Sequence, residues 1–263
     1  MPESEIRESN EQYIASAAMF CTNFPWAEVV ELPGLVAEWC NTALPFCNTI
    51  FLTKPVIDLA DLRSRVAALA GYLARKEKPP LLCVCEKWIP EALRSDAGSL
   101  LGEIGLQAAM TITGMAASEL PPPARTSSVL EFRRADTEET RTHLADVNAA
   151  AYGLPVEPLR EALALPDIWT DEFAGYVAYA EGRPIAAAGA MALRGCLHVM
   201  CVATIPECRR RGYAEAVIRH ALEEMSGATG FSRTSLHATE AGLPAYLRMG
   251  YRETAKFIAY TRG

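Results

Sequence analysis

The sequence lacks the features that mark several common protein classes. It contains no uninterrupted apolar run of the roughly 18 residues that a membrane-spanning helix needs. It has eight cysteines but no C-x2-C pair, the spacing in which thiolates usually bind zinc. The formal net charge of −7 argues against a broad basic surface for nucleic acid. These absences predict a protein without membrane span, metal site or nucleic-acid partner.

The composition and the first residues predict a folded cytoplasmic protein. Half of the residues are hydrophobic and 22% are charged, which supplies enough apolar material for packed cores. The acidic start, residues 1–5, lacks the basic and then apolar order of a secretory signal. In that location the cysteines are expected to stay reduced and to behave as small buried hydrophobic side chains.

A run of three prolines divides the chain nearly in half. Residues 121–128 are predicted to form an extended linker, because consecutive prolines fit neither a helix nor a central strand. The predicted domains are therefore residues 1–120 and 129–263. Each half ends with a helix-like segment, a glycine (Gly105 or Gly250) and a strand-like segment. This parallel predicts an internal duplication.

The second half alternates strand-like and helix-like segments. Asp136 is predicted to cap a first helix, with Glu139 three residues later. A very apolar strand at 196–204 leads into an amphipathic helix that starts after Arg211 and is expected to end at Gly227. Further strands are predicted at 173–180, 184–193, 234–238 and 254–260. An apolar strand that feeds an amphipathic helix is where α/β folds often bind phosphate.

The turn between that strand and helix carries the residues of an anion site. Pro206 ends the strand, and Gly212 lets the backbone approach a ligand without a side chain between them. Arginines 209–211 add positive charge beside the unpaired N–H groups of the helix start. The turn is neither a Walker loop nor a Rossmann G-x-G-x-x-G. The pattern predicts pyrophosphate binding.

Two motifs in the second half resemble those of the GNAT superfamily of N-acyltransferases. Arg209-x-x-Gly212-x-Ala214 resembles the family's motif A, and Tyr246-x-x-x-Gly250-Tyr251 resembles its later Tyr-x-x-x-Gly-[Phe/Tyr] motif. The resemblance covers residues 129–263. It implies an α/β (α+β) GNAT fold, a mixed and mostly antiparallel central sheet flanked by helices, here duplicated as two halves.

The resemblance also implies a reaction and its residues. The expected reaction transfers an acetyl group from acetyl-CoA to the amine of a small molecule or amino acid by direct attack. Tyr246 matches the tyrosine that protonates the departing thiolate. The strand that splays from its neighbour would bind the pantetheine arm, and the following turn the pyrophosphate. The implied cofactor-binding residues are Val202, Ala203, Thr204, Arg209, Arg210, Arg211, Gly212, Tyr213, Ala214 and Thr239.

The sequence does not specify the general base. His198, on the apolar strand, could take the amine proton directly or through water. Glu172 is a second candidate, and many family members use water alone. The first half has no R-x-x-G-x-[G/A] motif, and Leu101 stands where the alignment of the two glycines places Tyr246. Asp58 and Asp61 would repel phosphate there, so this half is predicted to be degenerate.

A different function class remains possible on this sequence. Residues 1–120 and 129–263 could form a non-catalytic acyl-CoA sensor that regulates a partner, and Tyr246 favours the enzyme over that alternative. A nucleic-acid modifier is disfavoured by the charge. The acceptor is not specified, although residues 152–169 and 252–257 occupy the substrate-selecting segments of the family. The choice between a monomer and a homodimer also stays open.

Overall fold

A computed structural model of the chain describes residues 2–123 and 130–262, which contain seven α-helices and eleven β-strands. The helices are α1 Glu3–Cys21, α2 Leu59–Leu73, α3 Arg94–Glu103, α4 Glu138–Tyr152, α5 Val156–Leu163, α6 Tyr213–Thr229 and α7 Leu243–Met249. The first strands are β1 Glu28–Leu32, β2 Leu35–Trp39, β3 Asn48–Leu52, β4 Leu81–Cys85 and β5 Leu106–Ala117. The others are β6 Glu131–Arg134, β7 Phe173–Ala180, β8 Arg183–Leu193, β9 Cys196–Thr204, β10 Thr234–Thr239 and β11 Arg252–Arg262.

These elements pack into two compact units. The first unit contains residues 2–114, 238–241 and 253–262, and the second contains 115–123, 130–237 and 242–252. The first unit therefore includes most of β11, which the sequence predicts as part of the domain 129–263. The reason is hydrogen bonding, since β11 pairs antiparallel with β4, Phe257 opposite Cys85.

The first unit is built on the strand order β1-β2-β3-β4-β11-β5. β1, β2 and β3 form an antiparallel meander, and α2 then carries the chain to β4, which pairs parallel with β3. β3 and β4 are buried at every position, as expected for strands covered on both faces. The core of this unit includes the fully buried side chains of Trp39, Phe51, Leu69, Leu82 and Phe257.

The second unit is built on the strand order β10-β9-β8-β7-β6. β6 to β9 are antiparallel neighbours, and α6 carries the chain from β9 to β10, which pairs parallel with β9. α6 buries the apolar stripe that its sequence predicts, Val217, Ile218, Ala221, Leu222 and Met225. This packing fixes the start of α6 beside the end of β9.

The fold class inferred from the sequence is confirmed. In each unit the strand pairing is mixed and mostly antiparallel, with helices packed against the strands. Both units also contain a helix that ends at a glycine in the left-handed conformation and leads into a strand, Gly105 with φ 80° and Gly250 with φ 101°. This repeated order supports a duplication, which stays a prediction.

Two local features differ from or extend the sequence prediction. Thr137, and not Asp136, caps α4, in a reciprocal hydrogen-bond pair with Thr140. α6 continues past Gly227 and ends at Gly230. Pro121–Pro123 lie outside helices and strands, as predicted, and residues 124–128 of the predicted linker lie outside the described residues.

The structure adds observations on helix apolarity, metal-ligating clusters and cysteines. No helix within residues 2–123 and 130–262 combines the length and apolarity required to cross a membrane. In the same part of the chain, no cluster of three or more His, Cys, Asp or Glu side chains is arranged to hold a metal ion. All eight cysteines are free, and all but Cys201 are buried, which confirms the interpretation as small hydrophobic side chains.

Candidate functional site

The centre of the candidate site is the place where β9 and β10 separate. The two strands pair in parallel from Leu197 opposite Thr234 to Val199 opposite Leu236. β9 continues to Thr204 and β10 continues to Thr239, but the two strands are not paired beyond Val199 and Leu236. The second half of β9 thus presents backbone groups on the side where β10 has left it. This is the splay that the sequence resemblance implied.

A β-bulge marks the same stretch of β9. The register with β8 shifts between Ala187 opposite Ala203 and Gly189 opposite Met200, so that Cys201 and Val202 together oppose one residue. Cys201 has a φ of 52°, which is uncommon for a residue with a side chain. Bulges of this kind re-aim backbone groups and are frequent beside functional sites.

The turn after β9 leads into a helix start with free N–H groups. Arg210 and Gly212 both have positive φ, 63° and 85°. Gly212 is the N-cap of α6, so no side chain satisfies the first N–H groups of the helix. A Cβ added at Gly212 would have no atom within 4 Å, so the space in front of this backbone is open. The geometry offers unpaired donors to an anion.

The three arginines of the turn have different environments. The guanidinium of Arg209 donates to the carbonyl of Ala151 at the end of α4 and, at 3.4 Å, to the carbonyl of Thr204. Arg210 and Arg211 are exposed and have no hydrogen-bond or ion-pair partner among the described residues. Arg209 therefore ties the turn to α4, whereas Arg210 and Arg211 are free to meet a ligand.

Tyr246 lies on α7 in the same unit and keeps its hydroxyl free. Its ring is half-buried and contacts Tyr251 edge-to-face, with ring centroids 5.9 Å apart. No hydrogen bond joins its hydroxyl to residues 2–123 or 130–262. Burial, and to a smaller extent Tyr152 and Tyr251, raises the pKa of Tyr246 well above its ordinary value. The phenol therefore keeps its proton at neutral pH.

Tyr152 was not among the predicted catalytic or cofactor-binding residues, although it begins the predicted substrate segment. It is the last residue of α4, and its hydroxyl donates a 2.7 Å hydrogen bond to the carbonyl of Val202. The sequence signal for it is weak, since a tyrosine before the helix-ending Gly153 is equally suited to packing. The structure places it on the bulged edge of β9. On the same edge the buried hydroxyl of Thr204 has no partner within the described ranges.

His198 lies in the paired half of β9 and faces β10. It is 3% exposed, its Nδ1 lies 3.0 Å from the hydroxyl of Ser235, and its ring centroid lies 5.3 Å from that of His237. Burial lowers the pKa of His198 to about 4. Because a histidine with this pKa is a weak base at neutral pH, the surroundings of His198 favour a structural role over direct proton abstraction.

We expect His198 to make the stability of the chain depend on pH. Its pKa falls from 6.5 in the unfolded chain to about 4 in the folded one, so the unfolded chain binds more protons between these values. The stabilisation is complete above pH 6.5 and is lost as the pH falls towards 4. Between about pH 7.5 and pH 5 the loss is about 2 kcal/mol. The His198→Gln variant should not show this loss of stability. Urea unfolding of the wild-type chain and the variant at the two pH values measures it. Equal losses in both proteins would contradict the assignment.

Cys201 is one of the two bulged residues of β9, and the reactivity of its thiol bears on the reaction mechanism. Burial raises the pKa of its thiol to about 12. The thiolate is the nucleophilic form, so this side chain is inert at neutral pH. The site thus offers a proton donor and anion-binding groups, without an activated cysteine nucleophile.

A comparison with protein-family models matches residues 138–251 to the acetyltransferase (GNAT) family. The match spans α4 to the end of α7. It therefore contains β9, the turn with arginines 209–211 (the arginine turn) and Tyr246. This part of the chain belongs to the GNAT family. A search of curated proteins found no match.

Solved structures share the fold over nearly the whole chain. A GCN5-related N-acetyltransferase from Kribbella flavida has a TM-score of 0.70 at 18% identity, covering 95% of this chain and 94% of its own. A functionally unknown conserved protein from Staphylococcus epidermidis has a TM-score of 0.65 at 12% identity, with coverages of 92% and 96%. A GCN5-related N-acetyltransferase from Sphaerobacter thermophilus has a TM-score of 0.55 at 14% identity, with coverages of 87% and 76%. At these identities the similarity concerns the fold alone.

The GNAT domain brings most of the predicted cofactor-binding residues into one continuous stretch of structure. Residues 202–204 lie on the splayed part of β9, 209–212 form the turn, and Tyr213 and Ala214 begin α6. Thr239 is exposed at the last position of β10 and belongs to the first unit. Glu172 is exposed just before β7. The orphaned hydroxyl of Thr204, the open space at Gly212 and the unpaired Arg210 and Arg211 fit a coenzyme A molecule.

Proposed function

We propose that the GNAT domain transfers an acetyl group from acetyl-CoA to the amine of a small molecule or amino acid. The observation that carries the proposal is the arginine turn: an uncapped helix start with two unpaired arginines, directly after a strand that has left its neighbour. Acetyl-CoA supplies an acyl group activated as a thioester. Arg210, Arg211 and the first N–H groups of α6 would hold its pyrophosphate, and residues 202–204 its pantetheine arm.

Tyr246 supplies the proton in this proposal. A thiolate that departs near a protonated phenol can take the proton as its negative charge develops. The raised pKa keeps the phenol protonated at neutral pH, and its hydroxyl has no competing acceptor within the described part of the chain. The inert Cys201 thiol agrees with direct attack by the amine, because an acyl-cysteine pathway would need a thiolate.

The proton of the attacking amine has no dedicated acceptor in this proposal. His198 is buried, and its lowered pKa makes it a poor base. Glu172 is exposed at the start of β7. We therefore propose that water accepts the amine proton, which leaves His198 as a positioning group between β9 and β10.

A panel of amines and amino acids with acetyl-CoA tests the reaction. Thiol release that depends on the amine supports the enzyme. The alternative, a non-catalytic acyl-CoA sensor, predicts that acetyl-CoA raises the melting temperature while no amine releases thiol. Neither thermal stabilisation nor thiol release would contradict both functions. The unpartnered Tyr246 hydroxyl favours the enzyme, because a sensor has no use for a proton donor.

Titration should find one acetyl-CoA per chain. In the first unit, the turn between β3 and α2 is already filled: Asp58 caps α2 by accepting from the amide of Asp61, 2.8 Å away. Arg65 pairs with Asp61 and donates to the carbonyls of Lys54 and Pro55. The helix start is thus capped and Arg65 is engaged, which leaves the exposed Lys54 as the one cation of the turn between β3 and α2 without an ion pair among the described residues. Isothermal titration measures the stoichiometry, and a value of two would show that the first unit is not degenerate.

A further inference from the structure

The first unit contains a cavity of about 100 Å³ between its sheet and two of its helices. Its walls come from β2, β3, β4 and β11 on one side and from α2 and α3 on the other. The lining is mostly aliphatic and includes Leu52, Val66, Leu69, Val84, Ala97 and Leu101. Because empty apolar volume in a core costs stability, a cavity of this kind is a candidate ligand site.

Three charged side chains also line the cavity, and only one has an unused buried donor. Arg65 is 2% exposed and its guanidinium is fully engaged by Asp61 and backbone carbonyls. Arg94 donates through Nη1 to Glu86 at 2.9 Å. The Nε–H of Arg94 is buried and has no acceptor within the described residues. The Arg94 side chain is 35% exposed overall, so it is this one buried donor that is available to an acceptor from outside the chain.

We propose that this cavity binds a short aliphatic carboxylate, with its chain among the aliphatic side chains and its carboxylate on Nε of Arg94. The size agrees, because a cavity of roughly 150 Å³ accommodates benzene, and a smaller one suits a chain of about four or five carbons. The hydrogen bonding agrees as well. Asp61 already pairs with Arg65 and Glu86 with Nη1 of Arg94, so the free donor is Nε of Arg94, and a carboxylate would accept a charge-assisted hydrogen bond from it.

The ligand differs from acetyl-CoA, because Arg65 and Asp58 already occupy the turn where a pyrophosphate would bind in this unit. The site is therefore independent of the proposed acetyl transfer. Binding of a carboxylate here and activity in the second unit can succeed or fail separately.

Nuclear magnetic resonance of the full ¹⁵N-labelled chain tests the proposal, because the Nε–Hε signal of Arg94 reports directly on the donor. Sodium pentanoate should shift this signal with a Kd on the order of 1 mM. Pentanamide has the same shape without the charge and should bind about tenfold more weakly. A signal that does not move at about 50 mM pentanoate, well above the expected Kd, would overturn the proposal. Equal binding of pentanamide would overturn the choice of a carboxylate.

Three variants locate the ligand. Ala97→Met fills the cavity and should weaken pentanoate binding at least about tenfold. Arg94→Lys keeps the charge beside Glu86 but removes Nε, and should weaken binding about tenfold, measured from the backbone amide signals of α3. Ser99→Ala, on the exposed face of α3, is the control and should bind within about twofold of wild type. Thermal unfolding checks that each variant is folded. Wild-type affinity in a folded Ala97→Met chain would place the ligand elsewhere and overturn the proposal.

Discussion

Replacing Tyr246 with phenylalanine is expected to lower kcat by about 10²–10⁴-fold, the contribution of a positioned general acid. The ring and its edge-to-face contact with Tyr251 are retained, so acetyl-CoA affinity and folding should change little. The KM for the amine should move less than kcat, which is the pattern of an interaction made only in the transition state. Steady-state kinetics on the amine found by screening, with calorimetric titration of acetyl-CoA, measures both quantities.

Tyr251→Phe is the matched control for this experiment. Tyr251 shares the ring contact, but its hydroxyl is buried and pairs with the hydroxyl of Thr234 at 2.9 Å. Its loss should cost about 1 kcal/mol of stability and leave kcat within a few-fold of wild type. If Tyr246→Phe turned over within about threefold of wild type, far short of the general-acid range, Tyr246 would not be the acid.

The pH profile offers a second check on Tyr246. Its ordinary pKa is 10.0, and burial raises it further in the folded chain. The proton donor is therefore present at every pH below this value. An alkaline decrease in kcat that begins near neutral pH would have to come from another group.

Gly212→Asp is expected to abolish measurable acetyl-CoA binding, a loss of at least about 100-fold. The introduced carboxylate would lie in the open space before the free N–H groups of α6, where it would repel a pyrophosphate and satisfy the donors itself. Isothermal titration of the folded variant measures the loss. Unchanged affinity would remove the arginine turn from the cofactor site.

Gly212→Asn separates charge from backbone strain in that experiment. Asparagine has the size of aspartate, lacks its charge, and tolerates the left-handed conformation that a φ of 85° requires. We expect it to weaken acetyl-CoA binding by about tenfold, clearly less than aspartate does. Equal losses in the two variants would show that crowding and strain, and not charge, account for the effect.

The sequence predicted the second unit better than the first because its signals are local. The apolar run 196–204, the helical stripe after Arg211 and the glycines at the ends of helices are each read within about ten residues, and the structure has β9 and α6 there. No helix is predicted at α5 from the sequence, because the segment is only eight residues long and contains Pro158, although Leu159, Ala162 and Leu163 do lie at helical spacing. The residue that caps α4 is the one whose side-chain oxygen reaches a free amide of the first turn. Composition alone does not decide between Asp136 and Thr137.

Contacts between distant residues account for the rest. Nothing in the sequence near Phe257 indicates that it pairs with Cys85, so the inclusion of β11 in the first unit could not be foreseen. The hydrogen bond from Tyr152 to Val202 and the burial of His198 against Ser235 likewise depend on how helices and strands pack. The motif residues could be named from the sequence. Which residues they contact, and therefore how their pKa values shift and which of their donors stay free, is visible only in the structure.

β4 remains without one of its strand partners for much of the time during which the chain is synthesised. β4 ends at Cys85, and its antiparallel partner spans residues 257–260. At roughly 5–20 residues per second, the ribosome needs on the order of ten seconds or more to add the intervening residues. During that interval one edge of an apolar strand is unpaired, a state that favours aggregation. The sheet of the first unit is therefore completed only after residue 260 has been synthesised.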